Sequence, residues 1–310
     1  MVDAKKIILD CDPGRDDAVA LMLAHADPRV ELVGVSIVGG NLSLESCTNN
    51  ALDVLKLLES PVKVFPGCDR PLQRPLECAE NFHANGIEGL THDPTLTAES
   101  SHGVDFIIDT VLHADPGTIT LVATGPLTNL ATAVQRSPEI VSRVAEVVLM
   151  GGAYNTGNCT PVAEFNIHTD PEAADVVFSQ SWPVTMIGLD VTHRALVTTA
   201  TQSAIAAIPT ATATVADQIL QAYRQAYKQW SDFDDPPLHD VCAVAYVADP
   251  TLFTTAQAPV RIELAGTYTA GMTVVDFRAF PQWPERHTVA TGCDATRLFT
   301  TLQEALARCP

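Results

Sequence analysis

Four aspartates, Asp10, Asp12, Asp16 and Asp17, fall within eight residues of the stretch I-I-L-D-C-D-P-G-R-D-D-A at 7–18. Like charges this close repel one another, and Arg15 offsets one of them at most. A hard divalent cation resolves the conflict, because such ions take carboxylate and carbonyl oxygens as ligands. The alternative is a capped helix with solvated surface aspartates, but charge seldom follows directly on a buried strand. The spacing therefore points to a metal site. His239-Asp240 admits two readings. In one, Asp240 caps the helix that follows and His239 is a surface residue. In the other, Asp240 supplies a further metal carboxylate, and His239 is the group there whose pKa suits proton transfer near neutrality.

These residues need a scaffold that brings them together. The apolar run 7–9 leads into the aspartates and a helical pattern from Ala18 leads out, so the stretch reads as strand, loop and helix. Pro13-Gly14 marks the turn, and Asp16 or Asp17 stands where a helix N-cap belongs. Strand and helix patterns then alternate: strands at 30–37, 62–65, 118–123, 145–150 and 184–189, with helices at 44–58, 104–113, 127–135 and 171–178. The last third turns helical at 202–208, 213–230, 241–247 and 296–307, with short strands at 260–264, 273–277 and 287–290. The pattern predicts an α/β fold, an open and mostly parallel sheet with helices on both faces and extra helices in the C-terminal third. No repeat, linker or low-complexity tract divides the chain, so residues 1–310 are read as one domain. Residues 67–100 are irregular and rich in Pro, Gly, Asn and His, as expected of a lid or binding loop.

In a parallel sheet the carboxyl ends of the strands share one edge, where ligands bind. Asp12, Asp16 and Asp17 follow the first strand, Asn41 the second, Thr124-Gly125 the strand at 118–123, and Asn158, Glu164 and Asn166 the strand at 145–150. Each alone is a plausible turn residue. Their joint placement is what suggests a site.

Composition narrows the partners. The chain has 310 residues, 46% hydrophobic, enough for a sizeable core. Its net charge of −19 argues against nucleic acid and anionic membranes, and no apolar run is long enough to span a bilayer. The eight cysteines show no paired spacing, and M-V-D-A-K-K runs straight into a strand pattern without a secretory signal. Both fit a reduced, cytoplasmic protein.

Taken together, the motifs resemble those of the nucleoside hydrolases. D-C-D-P-G-R-D-D-A at 10–18 is similar to their N-terminal signature. The likeness continues through V-G-G-N at 38–41, A-T-G-P-L-T-N at 123–129, V-L-M-G-G-A-Y at 148–154 and A-E-F-N-I at 163–167. It extends to G-L-D-V-T-H at 188–193, H-D-V-C-A-V at 239–244 and G-M-T-V-V-D-F-R at 271–278. The His-Asp pair places the likeness with the inosine–uridine preferring group.

The resemblance implies a Ca²⁺ site made by Asp12, Asp17, the Thr124 carbonyl and Asp240, with Asp10 as a supporting carboxylate behind it. It implies that Asp16 bonds the ribose 2′-hydroxyl, with Asn41 and Asn166 on the ribose, Asn158 and Glu164 near the 5′-hydroxyl, and Met150 beneath the sugar. Asp12 takes a proton from the attacking water and His239 protonates the departing base. The implied reaction is inverting hydrolysis of the N-glycosidic bond of a ribonucleoside through an oxocarbenium-like transition state, by a homodimer or homotetramer serving base salvage.

Two segments depart from the family pattern: H-A-N-G-I-E-G from His83, and the acidic W-S-D-F-D-D-P-P-L before His239. Both should border the base. Tyr223, Tyr227, Trp230 and Phe233 could close over it, although helical spacing of aromatics is more often a core pattern. Arg15 occupies a variable position and receives no role. The enzyme rival is a Mg²⁺ phosphatase of the haloacid-dehalogenase type, with Asp10 as nucleophile. It wants a hydroxyl-bearing residue where Gly14 stands. The non-catalytic rival, a nucleoside- or Ca²⁺-binding protein, has no need of His239.

Overall fold

The computed structural model describes residues 4–284 and 286–310, so the reading of the first residues as free of a signal lies partly outside the described residues. The chain runs β1 (Lys5–Cys11), α1 (Arg15–Ala26), β2 (Val30–Ile37), α2 (Leu44–Leu57), β3 (Val64–Pro66), α3 (Gly103–His113), β4 (Ile119–Ala123) and α4 (Thr128–Arg136). It continues through β5 (Glu146–Met150), α5 (Phe165–Thr169), α6 (Pro171–Phe178), β6 (Val184–Ile187), α7 (Leu189–Thr192), α8 (Thr199–Ala206), α9 (Ala211–Trp230) and α10 (His239–Ala248). It closes with β7 (Phe253–Ala258), β8 (Val260–Ile262), β9 (Thr273–Val275), β10 (His287–Cys293) and α11 (Ala295–Leu306).

Eight strands form one sheet in the order β3-β2-β1-β4-β5-β6-β10-β7, parallel throughout except for β7 against β10. Both faces are covered, so strand residues alternate between two apolar layers. Along β1, Ile7, Leu9 and Cys11 join the layer under α1, α2, α9, α10 and α11, while Ile8 joins the layer under α3, α4 and α6. Burial on both faces is why these strands read as unbroken apolar runs. From Asp16 to Ala24 α1 is buried on every side, since it packs against helices as well as the sheet.

The chain builds outward from β1 to β3, then returns to β4 on the other side of β1. The order therefore reverses between β1 and β4, and a crevice opens at their carboxyl ends. There the Thr124 N–H donates to the Asp10 carbonyl at 2.8 Å.

Some expectations shift. The strand expected at 184–189 ends at Ile187, and Asp190 lies in α7, where its carboxylate accepts from the Tyr154 N–H and the Asn155 side chain. Neither Asp16 nor Asp17 is the N-cap of α1. That position is Gly14, and both aspartates sit in the first turn. Nor does Asp240 cap its helix, because α10 begins at His239 with Leu238 as N-cap. β8 and β9 pair only with each other, apart from the main sheet. No helix among the described residues is long and apolar enough to cross a membrane.

Candidate active site

The aspartates converge at the reversal point. Asp12 leaves β1 into the Pro13-Gly14 turn, and its Oδ2 accepts from the Asn41 N–H at 2.6 Å. That approach requires glycine at position 40, where a Cβ would come within 2.1 Å of the same oxygen. The Asp17 carboxylate accepts from the Gly14 N–H at 3.1 Å, Asn41 Nδ2 at 3.1 Å and Thr124 Oγ1 at 2.8 Å. Asp10 accepts from Ser36 Oγ at 2.5 Å and Asn129 Nδ2 at 2.8 Å. Carboxylate oxygens of Asp16, Asp17 and Asp240 all lie within 4.8 Å of one another.

These groups are almost wholly withdrawn from water, and Arg15 is engaged elsewhere, with Glu88. Burial, together with mutual repulsion at Asp12, Asp16 and Asp240, pushes their carboxyls up: Asp10 and Asp16 to about 7, Asp12 and Asp240 well above the usual carboxylate range. One oxygen each of Asp10, Asp12 and Asp16 is buried without a hydrogen-bond partner. Orphaned, repelling, buried oxygens are what a divalent cation of the Ca²⁺ class satisfies, so the donor set fits such an ion. The trio within that distance contains Asp16, which the family resemblance places on the ribose, and does not contain Asp12.

A cavity of about 820 Å³ opens beside this cluster. Asp16, Asn41, Thr124, Met150, Asn158, Glu164, Asn166, His239 and Asp240 all line it, whereas Asp12 and Asp17 are fully buried and do not reach its lining. Glu164 is the N-cap of α5. Its carboxylate accepts from the N–H groups of Gly152, Asn166 and Ile167 at 2.9–3.1 Å, and burial pushes it up to about 7. Asn158 Oδ1 accepts from the Phe165 N–H at 2.9 Å. Asn166 Nδ2 donates to the carbonyls of Thr124 at 2.7 Å and Met150 at 3.0 Å.

His239 differs from expectation. Its Nδ1 is 2.7 Å from Thr192 Oγ1 and its Nε2 is 2.8 Å from the Tyr227 hydroxyl. Burial, with His193 and His83 nearby, drives its pKa well below the ordinary value, so the ring is neutral at pH 7. Nor is it the one imidazole present, since His83 and His193 line the same cavity. Tyr223 and Tyr227 are buried yet line the cavity, and Phe233 joins them, while Trp230 is half exposed and lies outside. His83 and Phe82 come from the irregular segment whose length had suggested a lid or binding loop; nothing in their local sequence marks them individually.

Comparisons with known proteins place the whole chain in one family. The family described as inosine-uridine preferring nucleoside hydrolase matches residues 7–300. The chain is 48% identical to an inosine-uridine preferring nucleoside hydrolase of Leishmania major over 98% of each chain. It is 39% identical to a pyrimidine-specific ribonucleoside hydrolase of Enterobacter sp., again over 98% of each. Its structure superposes on a purine-preferring ribonucleoside hydrolase from Gardnerella vaginalis with a TM-score of 0.91, at 35% identity and 98% coverage of both chains.

Proposed function

Because the chain belongs to the inosine-uridine preferring nucleoside hydrolase family and is an N-ribosyl hydrolase, we propose that it cleaves both purine and pyrimidine ribonucleosides to ribose and free base with Ca²⁺ bound at the aspartate cluster. The observation that carries this reading is a cluster of buried, partly unpartnered carboxylates at the wall of a cavity lined by hydroxyl acceptors. Residues 1–310 act as one catalytic domain, since the family match spans 7–300.

Asp12, Asp17, Asp240 and the Thr124 carbonyl would hold the cation, with Asp16 close enough to share it. Once bound, Ca²⁺ supplies a Lewis acid that lowers the pKa of an attacking water. Asp12 would then accept that water's proton, since its Oδ1 has no hydrogen-bond donor of its own in the protein.

Hydrogen-bond bookkeeping tells what the sugar meets. Both Nδ2 hydrogens of Asn166 are taken by carbonyls, and those of Asn41 by the Asp12 carbonyl and Asp17, so each amide has only its Oδ1 left to offer a ligand. With the carboxylates of Asp16 and Glu164, the ribose hydroxyls would meet acceptors. Such groups bind hydroxyl donors and also favour the positive charge that grows on the sugar as the bond breaks. Asn158 keeps its Nδ2 for the 5′-hydroxyl, and Met150 packs beneath the ring.

On the base side, Phe82, Tyr223, Tyr227 and Phe233 offer ring faces that suit any planar base. His239 would protonate the departing base as an imidazolium, having taken its extra proton from solvent before the bond breaks. A base gaining negative charge beside the ring favours the imidazolium that burial disfavours in the free site. The test is to follow free base and reducing sugar from inosine and uridine in phosphate-free buffer. Release of both in equal amounts is expected, and no release from either would overturn the proposal.

A further inference from the structure

Arg15 opens α1 directly before Asp16 and Asp17, yet its side chain turns to the irregular segment at 79–90. Its Nε donates to Oε1 of Glu88 at 2.9 Å and its Nη2 to the same oxygen at 2.5 Å, while Nη1 donates to the Phe82 carbonyl. Its backbone N–H donates to Nδ1 of His83 at 3.1 Å. The ion pair is shielded, with side chains 12% and 23% exposed. His83 is buried against Gly14, where a Cβ would come within 2.0 Å of its Nδ1, and its ring stands 5.9 Å from that of Tyr223. One residue thus meets three points of a segment without helix or strand, where the Phe82 and His83 N–H groups otherwise reach only the Ala79 carbonyl within the same segment.

We propose that Arg15 is a positioning residue for base binding. Through Glu88, the Phe82 carbonyl and His83, it fixes the base-side wall of the cavity against the same helical turn that carries the carboxylate cluster. A guanidinium suits the task because its fork serves a carboxylate and a carbonyl at once, which an ammonium point charge does not. The wall faces the base and not the reacting bond, so releasing it weakens nucleoside binding more than turnover. The inference rests on the functional reading above.

The test compares wild type with Arg15→Leu, Glu88→Gln, Arg15→Lys and the Arg15→Leu/Glu88→Gln double variant. The readouts are kcat and KM for inosine and uridine, and the rate of chymotrypsin cleavage after Phe82 in the folded protein. Either single neutral variant should raise KM about tenfold with kcat within about threefold, and should speed cleavage by a similar factor. The double variant should be no worse than the worse single one, because Arg15→Leu removes the clasp that Glu88→Gln only weakens by taking its charge, and Arg15→Lys should recover less than half of the loss. Unchanged KM, cleavage at the wild-type rate, or fully additive effects would overturn the proposal. Should Arg15→Leu fail to fold, Glu88→Gln decides alone, since glutamine keeps the shape of the side chain and an oxygen acceptor while removing the charge that Arg15 pairs with. A wild type that turns over no nucleoside would sink the functional reading, while the cleavage rates would still decide about Arg15.

Discussion

The hydroxyl of Tyr227 stands 2.8 Å from Nε2 of His239. With Thr192 on the other ring nitrogen, the imidazole is held in one orientation at the edge of the cavity, with α7, α9 and α10 each supplying one member of the trio. A neutral, oriented ring has one proton to share between two oxygens, so its tautomer is set by its neighbours.

If His239 delivers a proton to the departing base, its removal should matter only where the leaving group needs one. His239→Ala is expected to lose about 10²–10⁴-fold in kcat with inosine and far less with p-nitrophenyl riboside, whose phenolate leaves unaided. Tyr227→Phe should show the same asymmetry at smaller size, about tenfold. Equal losses on the two substrates would remove His239 from the acid role.

Asn166 tests whether the sugar site depends on the amide bonds that orient it. Asn166→Asp replaces the donor that meets the Thr124 and Met150 carbonyls with an acceptor, setting oxygen against oxygen at 2.7–3.0 Å. Loss of about 1–3 kcal/mol in stability and of about 10²-fold in kcat/KM is expected, measured by denaturant titration and steady-state kinetics.

The acceptor-rich sugar site also predicts selectivity for ribose. A deoxynucleoside leaves a buried acceptor without its hydroxyl, so 2′-deoxyinosine should fall below inosine by roughly 10³-fold or more in kcat/KM. Comparable turnover of the two would show that Asp16 does not read the 2′ position.

The carboxyl shifts fix the sign of the pH dependence. Folding raises Asp10 and Asp16 to about 7, so between their unfolded values near 4 and about 7 the folded protein holds more protons than the unfolded chain. In cation-free protein, these two groups lose their stabilising effect as pH rises through that window. A cation binds the deprotonated form and competes with those protons, so Ca²⁺ should raise Tm more at pH 7.5 than at pH 5.5. Thermal melts with Ca²⁺ or with a chelator at both values check this. An equal rise at both would place the ion elsewhere.

How much of this was legible beforehand differs by element. The strands at the centre of the sheet read clearly because both faces are buried, as in β1, β2 and β5. β7 did not. Its F-T-T-A-Q-A lies at an edge with four of its six residues at least partly exposed, and so carries no apolar run. All the carboxylates and amides proposed at the sugar end were visible as strand-end residues, since topology alone gathers strand ends. The base-side wall was not, because His83 and the Arg15 clasp meet across 68 residues of sequence. The aromatics of α9 illustrate the same limit. Tyr223 and Tyr227 share a helical face, and only the absence of a covering layer over part of it turns a core pattern into a cavity wall.

The central claim is that one cation sits among the aspartates at the end of β1 and is needed for cleavage of the nucleoside. The measurement that reaches it most directly is Ca²⁺ content and inosine turnover on the same sample, through chelation and stepwise restoration, for wild type and Asp17→Asn. We expect one ion per chain, activity lost and regained in proportion to it, and neither binding nor turnover in Asp17→Asn. Full turnover by fully chelated wild-type protein would contradict the account.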